Sequence, residues 1–257
     1  MTKRGRPRKI GPWFRLAVVL VKPPLTVFTK RDWRGMEHIP ATGGVVLVTN
    51  HLSYFDPFAF AHFVYDAGRI PRFLAKSGVF TIPVLGKIVG KLGQIPVYRQ
   101  TADATSAFRA AVAGIERGEC IVIYPEGTVS RDPDLWPMVG KTGAARVALM
   151  TGCPVIPIAQ WGPQDVLSPY SKKPKLLPRK TMHLQAGPPV DLSEFADTPL
   201  SAATLRDATE RIMVAITEQL EKIRGEQRPA ERFDMRQAGV VEIGNPNRRK
   251  AGGPEDG

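Results

Sequence analysis

Two side chains near residue 50 have the chemistry of a general base and its partner. His51 and Asp56 lie five positions apart, directly after the apolar run 45–49, whose β-branched residues predict a strand buried on both faces. If the chain turns from that strand into a helix between them, the carboxylate can reach back to the imidazole. It would hold one tautomer and stabilise the imidazolium formed on proton uptake. The spacing therefore predicts a His–Asp base at the carboxyl end of a strand, where open α/β folds place their chemistry.

A second polar cluster follows the run 120–124, which predicts another buried strand. Glu126, Gly127, Thr128 and Arg131 come directly after it. A glycine lets the backbone approach a ligand closely, and an arginine can bind a phosphate. Because the carboxyl ends of parallel strands meet at one edge of a sheet, we expect this loop to lie beside His51.

Cations and an amide stand at other strand and helix ends. Lys76 and Arg99 follow two further predicted strands, Lys141 opens a predicted helix, and Asn50 closes the strand that leads to His51. Several cations around one His–Asp pair predict an anionic substrate, such as a phosphate ester. We therefore include all four residues in the predicted substrate site.

Alternating strand and helix patterns extend along most of the chain. Residues 79–89 are apolar but contain proline and glycine, which predicts a broken helix or a lid, and Pro157 suggests an edge or a bend in its strand. The alternation predicts an α/β fold, a mixed and largely parallel sheet flanked by helices, with an N-terminal interfacial helical segment. We expect strands over 45–49, 72–75, 94–98, 120–124, 155–159 and 181–186, and helices over 57–65, 101–117 and 142–150, with a last helix capped by Thr198.

The remaining histidines and the cysteines indicate neither a metal site nor a disulfide framework. His38, His62 and His183 stand at unrelated spacings, so no metal ligand set is predicted. Cys120 and Cys153 each lie beside an apolar run and are expected to be reduced, which suits a cytosolic setting.

The net charge of +12 is concentrated in three basic runs, 3–9, 172–180 and 248–250. Residues 13–28 are apolar overall but are interrupted by two cations and by the pair Pro23-Pro24, and a bilayer span needs about 20 uninterrupted apolar residues. The pattern predicts a short interfacial helix, broken at the prolines, with a cationic leader that contacts an anionic membrane surface. The alternative is a helix packed on the protein's own core.

The basic leader also permits a DNA-binding interpretation. Residues 4–7 read Arg-Gly-Arg-Pro, the core of the AT-hook, which inserts arginines into narrow minor grooves. A DNA-tethered protein is therefore an alternative. We favour the membrane surface over nucleic acid, because DNA binding would not explain the polar residues at the strand ends.

Four blocks of sequence together resemble the glycerolipid acyltransferases. They are Asn50-His51 with Asp56, then 93–99 (Gly-Gln-Ile-Pro-Val-Tyr-Arg), 124–128 (Tyr-Pro-Glu-Gly-Thr) and 155–158 (Val-Ile-Pro-Ile). The resemblance covers roughly residues 30–195 and is nearest to the bacterial 1-acyl-sn-glycerol-3-phosphate acyltransferases, or lysophosphatidate acyltransferases. Four blocks in this order are far more specific than any one of them.

The resemblance implies roles for individual residues. His51 would be the general base on the acceptor hydroxyl, Asp56 its orienting partner, and Arg99 with the Glu126-Gly127 loop would bind the acceptor. It also implies acyl transfer from acyl-CoA or an acyl carrier protein to lysophosphatidate, which yields phosphatidic acid. No bound cofactor is implied, and the enzyme would be monotopic on the cytoplasmic membrane face.

One position departs from the family pattern. Many relatives have an arginine after Pro-Glu-Gly-Thr, where this chain has Val129. Either Arg131 takes over that phosphate contact, or the acceptor differs and is glycerol-3-phosphate or a glycolipid. The expected organisation is a basic leader at 1–9, an interfacial segment at 10–29, an acyltransferase domain at 30–225 and a flexible tail at 226–257.

Overall fold

A seven-stranded sheet carries the residues of interest. The computed structural model describes residues 10–97 and 104–240. Across the sheet the strands follow the order β1-β7-β6-β2-β5-β3-β4. In chain order they are β1 Thr29–Arg34, β2 Val45–Thr49, β3 Pro71–Lys76, β4 Ile95–Val97, β5 Cys120–Ile123, β6 Val155–Trp161 and β7 Lys180–Ala186.

The sheet is mixed and largely parallel, as the alternation of patterns predicted. β2 pairs in parallel with both β5 and β6, and β3 pairs in parallel with β5 and β4. Only the β6–β7 pair among these strands is antiparallel, and β1 runs parallel to β7. As a result, the carboxyl ends of β2, β3, β4 and β5 all lie at one edge of the sheet. Every residue of β2 is buried, as expected for a central strand.

Helices cover both faces of the sheet. One core cluster joins the sheet to α5, α6 and α8, and a second joins its other face to α2. The short helices α3 and α4 confirm that residues 79–89 form a broken helical segment. The helices are α1 Pro12–Phe28, α2 Asp56–Asp66, α3 Ser77–Phe80, α4 Leu85–Lys91, α5 Ala104–Glu116, α6 Gly143–Thr151, α7 Pro163–Val166 and α8 Ala202–Arg224.

Two details of the predicted elements are wrong. β6 lies between β7 and β2, so of the two alternatives for Pro157, an edge or a bend, the edge is wrong and the bend stays a prediction. The Pro157 carbonyl accepts from the N–H of Gly187, the residue after the end of β7. The Pro157 nitrogen, which has no hydrogen to donate, faces the same side, where the pairing with β7 has already ended. The last helix begins at Ala202, because the hydroxyl of Ser201, and not that of Thr198, accepts from the N–H of Thr204.

β1 was not predicted. Four of its six residues are charged, which hides the apolar alternation by which strands are recognised. An edge strand tolerates this composition because one side of it has no neighbouring strand to cover it.

The N-terminal segment is one helix and is not broken. α1 continues through Pro23 and Pro24, which lie on its exposed face, where the carbonyls they leave unpaired can meet solvent. The opposite side of α1 contacts the end of α2, where the Lys22 ammonium forms an ion pair with Asp66 at 2.5 Å. Within the described residues, none of the helices has the length and apolar character needed to cross a membrane.

Residues 232–235 contact the folded part of the protein. Met235 is buried, the N–H of Val139 donates to the carbonyl of Phe233 at 3.0 Å, and Arg232 pairs with Glu210 at 2.8 Å. These contacts fall within the predicted tail at 226–257, whose flexibility stays a prediction. Residues 241–257 and the basic leader at 1–9, with its AT-hook-like sequence, lie outside the described residues.

Candidate active site

His51 and Asp56 meet at the carboxyl end of β2, as their spacing predicted. The His51 Nδ1 atom lies 2.7 Å from Asp56 Oδ2. The chain turns after Thr49 and α2 begins at Asp56 itself, so the carboxylate faces back toward the strand end. A proton on Nδ1 that is donated to this carboxylate leaves Nε2 unprotonated. The imidazole can then accept a proton on that nitrogen.

The Asp56 carboxylate is fixed by more than the histidine. The same Oδ2 accepts from the N–H groups of Leu52 and Ser53, at 2.6 and 3.0 Å. Asp56 is completely buried, and this burial raises the pKa of its carboxyl group, while the hydrogen bonds from His51 and the two amides counteract that rise. The three donors converge on one oxygen and set the direction from which Asp56 holds the imidazole.

An aromatic stack forms one wall of the histidine. The Tyr124 ring stacks on the His51 ring with centroids 4.3 Å apart, and Phe73 stacks on the other side of Tyr124 at 6.2 Å. Burial raises the pKa of the Tyr124 phenol well above its usual value, so the ring stays neutral. Tyr124 closes one face of the imidazole to solvent, and 16% of the His51 side-chain surface remains exposed.

Glu126 is a buried support for the histidine loop. Its Oε1 accepts from the N–H of His51 at 2.9 Å and its Oε2 from the N–H of Met138 at 3.0 Å. The side chain is completely buried and both of its oxygens accept backbone hydrogen bonds, so its contacts in the structure are with the protein, and its role in binding substrate stays a prediction. The loop is tied to His51 a second time, since the N–H of Ser130 donates to the His51 carbonyl at 2.7 Å.

Asn50 has a similar structural role. Its Nδ2 donates to the carbonyl of Gln160 at 3.0 Å, and its Oδ1 accepts from the Gln160 N–H at 2.9 Å. The Gln160 side chain donates in turn to the Asn50 carbonyl at 2.7 Å. Asn50 is completely buried, and its role in binding substrate also stays a prediction. It joins the end of β2 to β6 immediately before His51.

The sequence matches a protein-family model over the region that builds this site. The model describes the acyltransferase family, and the match covers residues 30–161. This chain belongs to that family. The match includes His51, Asp56 and the Glu126 loop, so the resemblance found in the four sequence blocks is confirmed.

Individual relatives agree with the family assignment. The chain is 31% identical to 1-acyl-sn-glycerol-3-phosphate acyltransferase BAT2, chloroplastic, of Brassica napus, over 54% of this chain and 40% of that protein. It is 28% identical to the 1-acyl-sn-glycerol-3-phosphate acyltransferase of Bacillus subtilis, over 71% of this chain and 84% of that protein. The match to the Brassica protein thus spans less than half of that relative's length.

A solved structure supports the fold. The 1-acyl-sn-glycerophosphate (LPA) acyltransferase PlsC of Thermotoga maritima superimposes with a TM-score of 0.60 at 21% identity. The superposition covers 84% of this chain and 82% of the other. The mixed sheet and its flanking helices are therefore a fold already known among acyltransferases.

Three further predicted residues lie around the same edge of the sheet. Gly127 has a positive φ of 70°, and a Cβ atom at this position would lie 3.2 Å from the Lys141 side chain. The Lys141 N–H donates to the carbonyl of Pro125, so Lys141 lies against the Glu126 loop. Lys76 is exposed at the end of β3. Arg99, which was also predicted to bind substrate, lies outside the described residues.

The loop after Glu126 presents Arg131, and Val129 points inward. The Val129 side chain is 2% exposed, so the residue that departs from the family pattern packs inside the protein. The Arg131 guanidinium lies 4.7 Å from the centre of the Tyr170 ring, and the Tyr170 hydroxyl donates to the Val129 carbonyl at 2.6 Å. Burial raises the pKa of the Tyr170 phenol, and a side-chain hydrogen bond with Thr128 lowers that pKa by less than burial raises it.

Sequence reasoning missed two residues of this site, Gln160 and Tyr170, and it placed Tyr124 in the second polar segment without giving its ring a role. Tyr124 ends a predicted strand, and only the tertiary contact shows that its ring lies on the histidine. Gln160 is separated from Asn50 by 110 positions, and Tyr170 lies in a loop that has no motif, just before the basic run 172–180. Strand register and loop packing bring them to the site, and neither can be read from local patterns.

Proposed function

We propose that the protein transfers a fatty acyl group from an acyl-thioester to the free hydroxyl of 1-acyl-sn-glycerol-3-phosphate, giving phosphatidic acid. The observation that carries the proposal is the His51–Asp56 hydrogen bond at 2.7 Å within a chain of the acyltransferase family. The names of the Brassica and Bacillus relatives support this choice of acceptor.

In the proposed reaction His51 Nε2 takes the proton of the acceptor hydroxyl as its oxygen attacks the thioester carbonyl carbon. The tetrahedral intermediate collapses when the C–S bond breaks, and the thiolate leaves with the bonding pair. The imidazolium returns its proton to that sulfur, so the histidine ends neutral. A positioned base of this kind contributes about a hundred- to ten-thousand-fold.

Asp56 and Tyr124 assist this proton transfer without touching the acyl group. The carboxylate holds Nδ1–H and stabilises the imidazolium. The stacked Tyr124 ring keeps the imidazole plane in place and covers one face of it. Because the thioester is already activated, direct transfer requires neither an acyl-enzyme nor a bound cofactor or metal.

Two backbone amides are not available for the oxyanion of the intermediate. The His51 N–H donates to Glu126 and the Gly127 N–H donates to the Tyr124 carbonyl. We therefore assign oxyanion stabilisation to other donors at this edge. The candidates are Lys141, whose side chain would lie 3.2 Å from a Cβ atom at Gly127, and the hydroxyl of Thr128, the next residue in the chain. Donors preorganised toward the oxyanion supply a large part of the rate enhancement in acyl transfer.

The proposed setting is the cytoplasmic face of the cell membrane. α1 exposes Trp13, Leu16 and Leu20 at 45, 48 and 63%, which supports an interfacial helix on an anionic surface. Such a surface keeps the lipid acceptor close to His51. The thioester donor is acyl-CoA or an acyl carrier protein.

A matrix of donors and acceptors tests the function. Purified protein is assayed with acyl-CoA and acyl-carrier-protein donors against lysophosphatidate, glycerol-3-phosphate and a neutral glycolipid, with thiol release as the readout. We expect the highest kcat/KM for lysophosphatidate. Release that is equally fast without any acceptor would identify a thioesterase and would contradict the proposal, and a preference for glycerol-3-phosphate or the glycolipid would replace the acceptor.

Arg131 is proposed to bind the acceptor phosphate in place of the arginine found in many relatives at position 129. The change Arg131→Gln is expected to raise the KM for lysophosphatidate about tenfold or more, because a charge-assisted hydrogen bond contributes about 1.5–3 kcal/mol. Arg99→Gln is expected to act in the same direction. A matched change at an exposed distant arginine, Arg206→Gln, should leave the KM unchanged.

The phosphate role makes a further distinction. On a neutral alcohol acceptor, Arg131→Gln should have almost no effect on KM. An equal loss on the neutral and the phosphorylated acceptor would show that the guanidinium supports the Tyr170 loop and does not bind phosphate.

A further inference from the structure

A strongly basic loop next to α1 has no role in the proposed reaction. Residues 171–180, which we call the basic loop, contain five cations and no acidic residue. Its side chains from Lys172 to Arg179 are exposed, and Leu177 is 72% exposed between them. Within the described part of the chain, Lys172, Lys173 and Lys175 have no ion pair. Such a concentration of unneutralised charge around an apolar residue requires an explanation.

The basic loop has a defined position. The N–H of Lys175 donates to the carbonyl of Val166 at 2.7 Å, and the N–H of Lys173 donates to the hydroxyl of Ser171 at 3.1 Å. The loop then continues directly into β7, whose first residue, Lys180, is in register with Thr29 of β1. Its exposed cations are therefore presented by backbone that is anchored on both sides.

Arg179 joins the basic loop to the end of α1. Its Nη2 donates to the carbonyls of Thr26 and Thr29, at 2.9 and 2.8 Å. These carbonyls stand at the carboxyl end of the helix, where a cation is favoured. The loop with its lysines and leucines is thereby held beside Val27, which is 59% exposed on α1.

The exposed apolar side chains of α1 continue this surface. At helical spacing they share one face with the two prolines, and they reach the end of the helix that Arg179 binds. They are Trp13, Leu16, Leu20 and Val27. An apolar helix face adjoining a cationic loop is the arrangement that an anionic bilayer requires, since acyl chains accept the first and lipid headgroups attract the second.

We propose that the basic loop is a second membrane-docking element, which binds anionic lipid headgroups through Lys172, Lys173 and Lys175 and inserts Leu177 beside α1. Two contacts on one surface fix the orientation of the fold on the bilayer, which a single helix cannot do. The proposal deepens the membrane association within the proposed function and rests on that part of it alone. An acidic carrier protein would match the charge but would leave the exposed face of α1 uncovered.

Vesicle sedimentation of the full chain tests the proposal. The probe is vesicles of equimolar phosphatidylglycerol and phosphatidylcholine, with vesicles of phosphatidylcholine as the neutral comparison. The triple variant Lys172→Gln, Lys173→Gln, Lys175→Gln is expected to bind the anionic vesicles tenfold to about a hundredfold more weakly, because each cation near an anionic surface contributes about a factor of five. The difference should shrink at high salt.

A matched triple variant controls for net charge. Arg109→Gln, Arg206→Gln and Lys222→Gln remove the same charge from exposed positions on α5 and α8, and this variant should bind the anionic vesicles nearly as wild type does. A separate variant, Leu177→Gln, should weaken binding at all salt concentrations. All variants retain residues 1–9, so the leader contributes equally to each.

Three results would overturn the proposal. They are a loop variant that binds anionic vesicles as tightly as wild type, equal losses of binding in the two triple variants, and a loss of binding by the loop variant that is equal on anionic and neutral vesicles. If the loop variant binds vesicles normally and loses activity only with an acyl-carrier-protein donor, the loop is a protein-docking site. Thiol release with a soluble short-chain acceptor separates docking from catalysis. If docking is absent but this release is normal, only the docking proposal fails, and if docking is present without any release, the proposed activity fails.

Discussion

Replacement of His51 by alanine is expected to lower acyl transfer about a hundred- to ten-thousand-fold, the contribution of a positioned general base. The fold should survive, because the backbone N–H and carbonyl of His51 keep their bonds to Glu126 and Ser130. The measurement is kcat for thiol release with saturating lysophosphatidate. Circular dichroism and the melting temperature report whether the variant remains folded.

The chain contains a matched control for this change. His183 Nδ1 lies 2.8 Å from Asp32 Oδ2, so it forms a second His–Asp hydrogen bond of nearly the same length on β1 and β7. His183→Ala should leave kcat unchanged, because this pair lies on strands away from the carboxyl ends of β2 and β5. Near-normal turnover in the His51 variant, or equal losses in both variants, would remove His51 as the base.

Replacement of Glu126 by glutamine is expected to impair both stability and turnover. The carboxyl group accepts from His51 N–H with one oxygen and from Met138 N–H with the other. A glutamine has only one oxygen, so one buried N–H would face an amide donor, at a cost of about 1–3 kcal/mol. The histidine loop would also shift, and a shift of about 1 Å can lower turnover by up to about a hundredfold.

The loss of stability should depend on pH in a defined direction. Burial raises the pKa of Glu126 to about 8, against a usual value of 4.5, so between these values the folded protein binds a proton that the unfolded chain releases. The free energy of unfolding contributed by this group is therefore fully present below about pH 4.5 and falls as pH rises toward 8. The glutamine variant lacks this decrease.

Chemical denaturation between pH 5 and 8 measures this effect. We expect the difference in unfolding free energy between wild type and Glu126→Gln to become smaller as pH rises. The control Glu218→Gln, at an exposed position on α8, should change neither stability nor its pH profile. A Glu126 variant with wild-type stability at pH 5 would contradict the buried support that we assign to this carboxylate.

Local patterns predicted the fold class and the central pair correctly. The short, largely β-branched run 45–49 favours a buried strand, and five positions from histidine to aspartate suffice for a turn into a helix. Both inferences rest on short-range geometry, which a sequence contains in full. The positions of β3, β5 and β7 and the broken segment 79–89 followed from the same reasoning, whereas β1 did not, since its charged residues hide it.

What the sequence by itself determined is which residues end the parallel strands, and therefore which side chains gather at one edge. What only the tertiary structure decided is the direction in which each of them points. Glu126 and Asn50 carry polar groups like the substrate-binding residues they were predicted to be, yet both turn inward to satisfy backbone groups of the His51 loop and β6. A buried polar group must find a partner, and that partner is set by strand register and loop packing across long separations in the chain.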